Sequence, residues 1–132
     1  MASLVLATPI RTDFANKLND EVDGGYLRIY TGSSPGPNNA ATGTLLVEFA
    51  LPAKASNTVA NGILTFGTIA SANAGAVGTM GYFRIFKTDG TTAVLDGDVA
   101  IASATLNLSA LTTAIGGPVN ITSFTLTVPA GT

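Results

Sequence analysis

The sequence contains no cysteine, no histidine and no tryptophan. Without cysteine there is no disulfide, no thiolate metal site and no cysteine nucleophile. Without histidine the chain lacks the most common general base and the most common metal ligand. An enzyme built on this chain would have to rely on carboxylates, lysine or tyrosine. We therefore expect that the protein is not an enzyme, with no catalytic residue, no cofactor and no metal site.

Charged residues are scarce as well. They make up 11% of the 132 residues, against about 25% in typical soluble domains. Six basic and eight acidic residues give a net charge of −2 and form no basic stripe, so we expect no nucleic-acid partner. A chain with so few charges often covers its surface with other chains. This favours a subunit of an assembly over a monomer coated with serine and threonine.

Long apolar runs are missing too. None approaches the roughly 18–20 residues of a membrane-spanning helix, so we expect no membrane partner. The first residues, MASLVLA, are apolar but lack the basic residues that begin a signal peptide. We therefore expect synthesis in a cytoplasm. The length predicts a single domain over residues 1–132.

One short N-terminal helix is predicted over about residues 9–23. Thr8 is a candidate cap, and Pro9 suits the first helical position. Apolar residues recur every four positions from Ile10 through Phe14 to Val22, which predicts one buried stripe. Gly24 and Gly25 would end the helix. Acidic residues at 20, 21 and 23 lie where the helix dipole disfavours them, which predicts a short or frayed C-terminal end.

Strands are predicted from residue 26 onward. The segments with strand patterns are 26–31, 44–51, 62–70, 82–87, 92–95, 99–102, 105–108 and 118–128. Residues 53–61 are polar and ambiguous, and residues 71–81 read as a loop. Many short strands separated by Gly, Pro and Asn predict a mainly β fold. We expect an antiparallel β-sandwich, jelly-roll-like, with residues 33–39 in a projecting loop.

Two strands repeat one pattern at a spacing of 56 residues: GYLRIYT from Gly25 and GYFRIFK from Gly81. Leu27, Ile29, Phe83 and Ile85 are predicted to face the core. The other face would carry the candidate interaction residues Tyr26, Arg28, Tyr30, Tyr82, Arg84 and Phe86. If the strands are neighbours, each guanidinium would lie over a ring of the other strand. This face is either ordinary cross-strand packing or a contact surface for a partner, because Tyr, Phe and Arg are enriched at interfaces.

Two Asp-Gly pairs follow the second of these strands. Asp89-Gly90 and Asp96-Gly97 are both predicted to be tight turns, since Asp-Gly is a strong hairpin signal. A calcium loop is disfavoured because no acid follows Asp98 to close it. Glu48 has no second tuned group near it in the sequence, which disfavours paired-carboxylate catalysis.

The chain resembles small structural proteins encoded in the head-gene clusters of tailed bacteriophages and prophages. The resemblance spans residues 11–131. It is carried by the stretches GYLRIYTGSSPGPNNAATGTLLVEFALP, GYFRIFKTDGTTAVLDGDV and GGPVNITSFTLTVPAG. It implies a virion component located on the capsid surface and synthesised in the host cytoplasm. The implied role is a capsid decoration (cement) protein.

Decoration proteins of this kind are commonly β-rich trimers that clamp coat subunits where they meet. The resemblance therefore implies two partners, a homotrimer of the chain itself and the major capsid protein. Two alternatives stay open. One is a tail or head–tail structural component, and the other is a carbohydrate- or receptor-binding β-sandwich whose platform is the aromatic and arginine face.

Overall fold

The computed structural model describes residues 5–54 and 56–128. They form one helix, α1 (Thr8–Val22), followed by short strands. The strands are β1 (Tyr26–Tyr30), β2 (Leu45–Ala50), β3 (Ser56–Ala60), β4 (Ile63–Phe66), β5 (Ala72–Asn73), β6 (Gly78–Thr79), β7 (Tyr82–Phe86), β8 (Ala93–Ala100), β9 (Leu106–Leu108), β10 (Thr112–Thr113), β11 (Pro118–Val119) and β12 (Ile121–Thr127). The mainly β prediction is confirmed.

Eight of these strands form one sheet in the order β2-β1-β7-β8-β9-β12-β4-β3. Most neighbouring strands in it pair antiparallel, but β8 and β9 run parallel. The expectation of an antiparallel sheet is therefore wrong, because the sheet is mixed. The chain passes from β8 to β9 through residues 101–105 and enters β9 in the same direction. Two two-stranded ribbons, β10-β6 and β11-β5, accompany the sheet.

The sheet is strongly curled around one hydrophobic core. Phe83 of β7 and Phe124 of β12 are separated by two strands in the sheet order, yet their rings meet edge to face at 5.2 Å. Phe124 also stacks on Phe66 of β4 at 4.1 Å. The predicted core residues Leu27, Ile29, Phe83 and Ile85 are fully buried. Aromatic packing therefore joins the two halves of the curl.

The helix buries a different stripe from the predicted one. Val22 and Ala15 are fully buried, but Ile10 and Phe14 are 43% and 51% exposed. A four-residue step overshoots one helical turn by about 40°, so a strict four-residue repeat winds around the helix. The N-terminal members of the repeat therefore point away from the core. Among the described residues, no helix combines the length and the apolar character that a membrane crossing requires.

The helix ends also differ from prediction. Ala7 is the N-cap and makes no side-chain cap hydrogen bond, so Thr8 is already helical and Pro9 occupies the second position. The C-terminal end is not short, since the helix runs to Val22. Glu21 there forms ion pairs with Lys17 at 2.9 Å and with Lys87 at 2.6 Å. These cations offset the unfavourable interaction of the carboxylate with the helix dipole.

The polar segment 53–61 contains a strand that its sequence pattern does not predict. This strand, β3, forms a hairpin with β4 whose two turn residues are Asn61 and Gly62, both with positive φ. Asn-Gly is the strongest short hairpin signal, because both central residues of a type I′ turn need positive φ. The hairpin holds α1 through a hydrogen bond from the Gly62 amide to Thr12 Oγ1 at 3.1 Å.

The second Asp-Gly pair is not a turn. Asp96 and Gly97 lie inside β8, which runs without a break across the two short strands predicted there. Gly97 sits opposite Phe83, and a Cβ on Gly97 would lie 2.4 Å from the Phe83 ring. The glycine is therefore needed for close packing rather than for a turn. Asp89-Gly90 does form the predicted turn, with φ of +71° at Gly90.

The long final strand predicted over residues 118–128 is divided. β11 and β12 are separated at Asn120, and each pairs with a different partner. Phe124 and Leu126 of β12 are buried. Residues 71–81, expected to be a loop, contain the two-residue strands β5 and β6. These strands are too short for sequence periodicity to reveal them.

Replacing Gly97 tests the packing under Phe83. We expect Gly97→Ala to lower the free energy of unfolding by about 1–3 kcal/mol, because the added methyl overlaps the ring. Urea unfolding measures the change. Gly75→Ala is the matched control, since nothing lies within 4 Å of a Cβ there and its φ is not positive. Equal effects of the two substitutions would contradict the overlap.

The Glu21 ion pairs predict a pH dependence. Hydrogen bonds from Lys87 and Lys17 lower the pKa of Glu21 to about 2. The folded-state pKa lies below the unfolded one, so this stabilisation is full above about pH 4.5 and is lost as pH falls toward 2. We expect the free energy of unfolding to fall less between pH 5 and pH 2.5 in Glu21→Gln than in the unmodified chain. Lys87→Gln should behave similarly, and an unchanged pH slope in both would contradict the role of Glu21.

Candidate functional site

The six candidate interaction residues share one face of two adjacent strands. β1 and β7 pair antiparallel, and the opposed residues are Tyr26 and Phe86, Arg28 and Arg84, and Tyr30 and Tyr82. The strands are thus neighbours, which the sequence repeat alone leaves open. We call this set of six residues the arginine face.

The register explains the sequence repeat. Arg28 and Arg84 correspond to each other in the 56-residue repeat, and they also lie directly opposite each other. The two strands are therefore related by an approximate two-fold axis that passes between the arginines. Each arginine has an acid on its outer neighbouring strand, Glu48 on β2 and Asp96 on β8. The four residues form a row across the sheet, with the acids at its two ends.

Most of the arginine face is buried by the chain itself. Tyr82 and Arg84 are each 2% exposed, and Phe86 and Tyr30 are 7% and 8% exposed. Part of the cover is the segment that joins β1 to β2. We call residues 33–42 the strap, and it lies between Gly32 and Gly43. The strap packs on the part of the arginine face around Arg84 and Tyr82, which we call the seat of the strap.

Arg84 makes four hydrogen bonds, two to Asp96 of β8 and two to the strap. Its Nε and Nη2 donate to the two carboxylate oxygens of Asp96 at 2.6 and 3.0 Å. Its Nη1 donates to the backbone carbonyl of Asn39 and its Nη2 to that of Gly36, both at 2.8 Å. The planar guanidinium thus binds a carboxylate in bidentate geometry on one side and two strap carbonyls on the other.

Both side chains of the Arg84–Asp96 ion pair are buried. The Arg84 and Asp96 side chains are 3% and 5% exposed. Ser34 of the strap donates a short hydrogen bond to Asp96. The hydrogen bond with Asp96 raises the pKa of Arg84 above its usual value, so the guanidinium stays charged. A pair this buried must satisfy nearly all of its polar atoms to offset the loss of hydration.

Arg28 makes the related set of contacts on the other side of the two-fold axis. Its Nε donates to Glu48 at 2.5 Å and its Nη1 to the Gly90 carbonyl at 3.0 Å. Its guanidinium lies 4.4 Å from the centroid of the Phe86 ring. The predicted stacking of an arginine on a ring of the other strand is thus present for Arg28. Arg84 instead uses its guanidinium for the ion pair and the strap.

The two arginines perform one structural task. Arg84 on β7 binds the loop that follows β1, and Arg28 on β1 binds the loop that follows β7. Each strand therefore positions the loop of its counterpart. The sequence repeat does not reveal that each arginine binds the loop after the other strand, because the backbone carbonyls involved carry no side-chain signature.

Tyr30 and Tyr82 form the rest of the surface on which the strap lies. Tyr30 and Tyr82 stack with their ring centroids 5.2 Å apart. The Tyr82 hydroxyl donates to the Thr42 carbonyl at 2.7 Å and accepts from the Thr42 amide at 3.1 Å. Burial raises the pKa of Tyr30 above its ordinary value. The strap is therefore held near its start through Asp96 and Arg84 and at its end through Tyr82.

Asp89 of the loop before β8 and Asp98 within β8 each have their own hydrogen-bond partners. Asp89 accepts from the Thr92 hydroxyl and from the Thr91 and Thr92 amides, which lowers its pKa to about 2. Asp98 accepts from the Thr105 amide, and its hydrogen bonding with Thr105 lowers its pKa. In the part of the chain that the structure describes, no three acidic side chains come together as a metal site requires.

Three cavities stand out among the described residues, and one adjoins the strap. That cavity has a volume of about 290 Å³ and is lined by Ser33, Ser34, Gly81, Tyr82, Gly97 and Asp98. A second, of about 240 Å³, lies between the end of β4 and the start of β12. A third, of about 380 Å³, lies along β2 beside Asn73 and Gly75. None of these three joins a nucleophile to a tuned base, which is the arrangement that covalent catalysis needs.

Breaking the buried Arg84–Asp96 ion pair tests how much it contributes to the stability of the fold. We expect Arg84→Met to lower the free energy of unfolding by about 3–5 kcal/mol, because the Asp96 carboxylate is left buried without a cation. The double variant Arg84→Met/Asp96→Leu should recover most of this loss, since apolar side chains of similar size need no hydration. Urea unfolding measures both variants.

Arg28→Met is the matched control for this prediction. It should cost only about 1 kcal/mol, because the Glu48 side chain is 41% exposed and can be hydrated without its partner. A double variant no more stable than Arg84→Met would contradict this account.

Comparison with known proteins returns no relative. No protein-family profile, no curated protein and no solved structure matches the chain.

Proposed function

We propose that this chain is a structural protein of a tailed-bacteriophage virion, specifically a decoration (cement) protein on the outside of the capsid. In this role it binds the major capsid lattice as a homotrimer and stabilises it. The observation that carries the proposal is a surface with few charged side chains, most of those in the β region being paired within the chain, on which large apolar side chains are exposed. The resemblance of the sequence to phage head proteins gives this surface its partner.

Most charged side chains of the β region are used within the fold. Arg28 and Arg84 pair with acids, Lys87 pairs with Glu21, and Asp89 and Asp98 accept backbone hydrogen bonds. A monomer normally relies on free surface charge for solubility. These charges hold loops and strands instead, and the sequence contains few others, since charged residues make up only 11% of it.

Large apolar side chains are exposed on several elements. Those at least 39% exposed are Val5, Ile10, Phe14, Leu45, Ile63, Val77, Ile101 and Ile115. Val77 and Ile115, at 67% and 74%, lie on two segments that pair with each other, where Gly78 is opposite Thr113. Ile10 and Phe14 lie one turn apart on α1. Contiguous exposed apolar groups mark surfaces that other chains cover, and we propose that these residues contribute to such a surface.

We infer that the curled sheet is a jelly-roll-like β-sandwich. One layer is β2-β1-β7-β8 and the other is β9-β12-β4-β3. The ring contact between Phe83 and Phe124 supports facing layers. A two-layered fold of this kind is rigid and presents its loops at the ends of the layers. Rigidity suits a protein that clamps its neighbours, because little freedom is lost on binding.

A cement protein acts by burying surface against the capsid and needs no catalytic chemistry. A standard protein interface buries about 800 Å² on each partner, and apolar area contributes roughly 25 cal/mol per Å² before the costs of ordering. Many copies bound to one lattice would add such contributions at every site. This accounts for a chain that lacks histidine and cysteine yet exposes apolar side chains.

The proposal predicts which changes abolish binding. We expect at least one of the double variants Val77→Asp/Ile115→Asp and Ile10→Asp/Phe14→Asp to lose binding to empty phage capsids that the unmodified chain binds. Co-sedimentation with empty capsids measures binding, and sedimentation equilibrium measures the homotrimer. The melting temperature should hardly change, since exposed positions tolerate substitution.

The control for these variants is Lys54→Asp, which alters charge at an exposed position without removing an apolar group. If both double variants bind capsids as tightly as the unmodified chain, the apolar surface is not the contact. An unmodified chain that ignores capsids would exclude the decoration role. Labelling on the tail rather than the head of virions would place the protein in a tail or head–tail structure instead.

A further inference from the structure

The turn between β3 and β4 is an Asn-Gly pair, Asn61 followed by Gly62. In such a pair the glycine nitrogen can attack the asparagine side chain, because glycine has no side chain of its own to block the approach. Asparagine is accordingly counted among the thermolabile residues of proteins. Asn61 is exposed, so water and base reach its amide.

Both backbone polar groups of Gly62 are bound by other parts of the chain. Its amide donates to Thr12 Oγ1 of α1 at 3.1 Å, and its carbonyl accepts from the Val128 amide at 2.8 Å. The Arg11 side chain covers the glycine, since a Cβ on Gly62 would lie 2.8 Å from the Cβ of Arg11. Arg11 Nε in turn donates to the Val128 carbonyl at 3.0 Å. The first half of α1 therefore holds this turn.

This contact opposes attack on the Asn61 side chain. The Gly62 nitrogen must lose its proton and approach the Asn61 Cγ atom, but its N–H is directed at Thr12. The positive φ of Asn61 and the pairing of Ala60 with Ile63 also fix the turn. The attack must therefore start from a locally opened state in which α1 has released the Gly62 amide.

We propose that Asn61 is a site of spontaneous deamidation and that the contact with α1 sets its rate. The Gly62 nitrogen forms a bond to Asn61 Cγ, the bond from Cγ to Nδ2 breaks, and ammonia leaves with the proton from the nitrogen. Water then adds to either carbonyl of the resulting five-membered imide and opens it. The products are aspartate and isoaspartate at position 61.

The isoaspartate product changes the turn permanently. It places one extra carbon in the backbone between positions 61 and 62, which a two-residue type I′ turn cannot accommodate. The glycine then loses the position from which it binds Thr12 and Val128. The modification therefore detaches the β3-β4 hairpin from α1, and this inference does not depend on the proposed capsid role.

The Asp-Gly pairs of the chain are less reactive at neutral pH, because an ionised carboxylate is a poor electrophile. Hydrogen bonds from Thr92 hold the pKa of Asp89 at about 2. The Asp96 carboxylate is held in its ion pair with Arg84. Asn61 carries a neutral amide that needs no protonation, so it is the site that reacts first.

Removing the Thr12 hydroxyl tests the proposal. We expect Thr12→Val to speed deamidation at Asn61 by about two- to ten-fold, because the loss of one hydrogen bond shifts the opening equilibrium by about that factor. Trypsin releases residues 55–84 as one peptide after incubation at mildly alkaline pH, since no Lys or Arg lies between Lys54 and Arg84. Tandem mass spectrometry of this peptide locates and quantifies the conversion of amide to acid.

The same peptide contains an internal control, Asn73. Deamidation there should stay constant, and a rise equal to that at Asn61 would mean general unfolding and would overturn the local control by α1. Thr12→Ser keeps a hydroxyl and should react at the original rate. Equal rates at Asn61 in the Val variant, the Ser variant and the original chain would also overturn the proposal. In concentrated urea all three chains should react at one common, faster rate.

Hydrogen exchange tests the contact in the original chain without any substitution. We expect the Gly62 amide to exchange more slowly than in an unstructured peptide, because exchange requires the same opening as the attack. Exchange at the unstructured rate would show that α1 does not protect this nitrogen. Isoaspartate at Asp89 or Asp96 before any change at Asn61 would likewise contradict the proposal.

Discussion

The structure depends on one buried guanidinium. Arg84 meets Asp96 and two backbone carbonyls of the strap in a place with almost no solvent. Because an unpaired charge there would be costly, the strap, β7 and β8 must come together in one arrangement. An apolar cluster could supply similar stability, but it would not fix the direction of hydrogen bonds in the strap. The ion pair therefore contributes specificity of structure more than net stability.

The same constraint bears on assembly. The strap has no residue in the hydrophobic core, and hydrogen bonds with Arg84, Asp96 and Tyr82 organise it instead. Its outer residues are uncharged and exposed, and large apolar side chains elsewhere on the surface can be covered by other chains. The exposed apolar groups are the feature on which the proposed association with other chains rests.

Sequence patterns predict the features that rest on periodicity and local turn chemistry. The helix, the core residues of β1 and β7 and the turn at Gly90 follow from such patterns. The role of Gly97 escapes them because it depends on Phe83 of the neighbouring strand, and no local pattern reports a ring lying over a backbone. The burial of Arg84 is likewise invisible, since it arises from strap carbonyls that any residue could supply. The sequence thus predicts that the six residues share a face, but not what covers that face.

The approximate two-fold axis between Arg28 and Arg84 has a consequence for accuracy in folding. Strands with matching sequences can pair in shifted registers that still bury alternate side chains. A shift of two residues would carry both loops away from their arginines at once, because each arginine holds the loop of the opposite hairpin. A misaligned pairing therefore loses its hydrogen bonds at both ends together. The reciprocal contacts between the two arginines and the two loops therefore disfavour shifted alignments of β1 and β7.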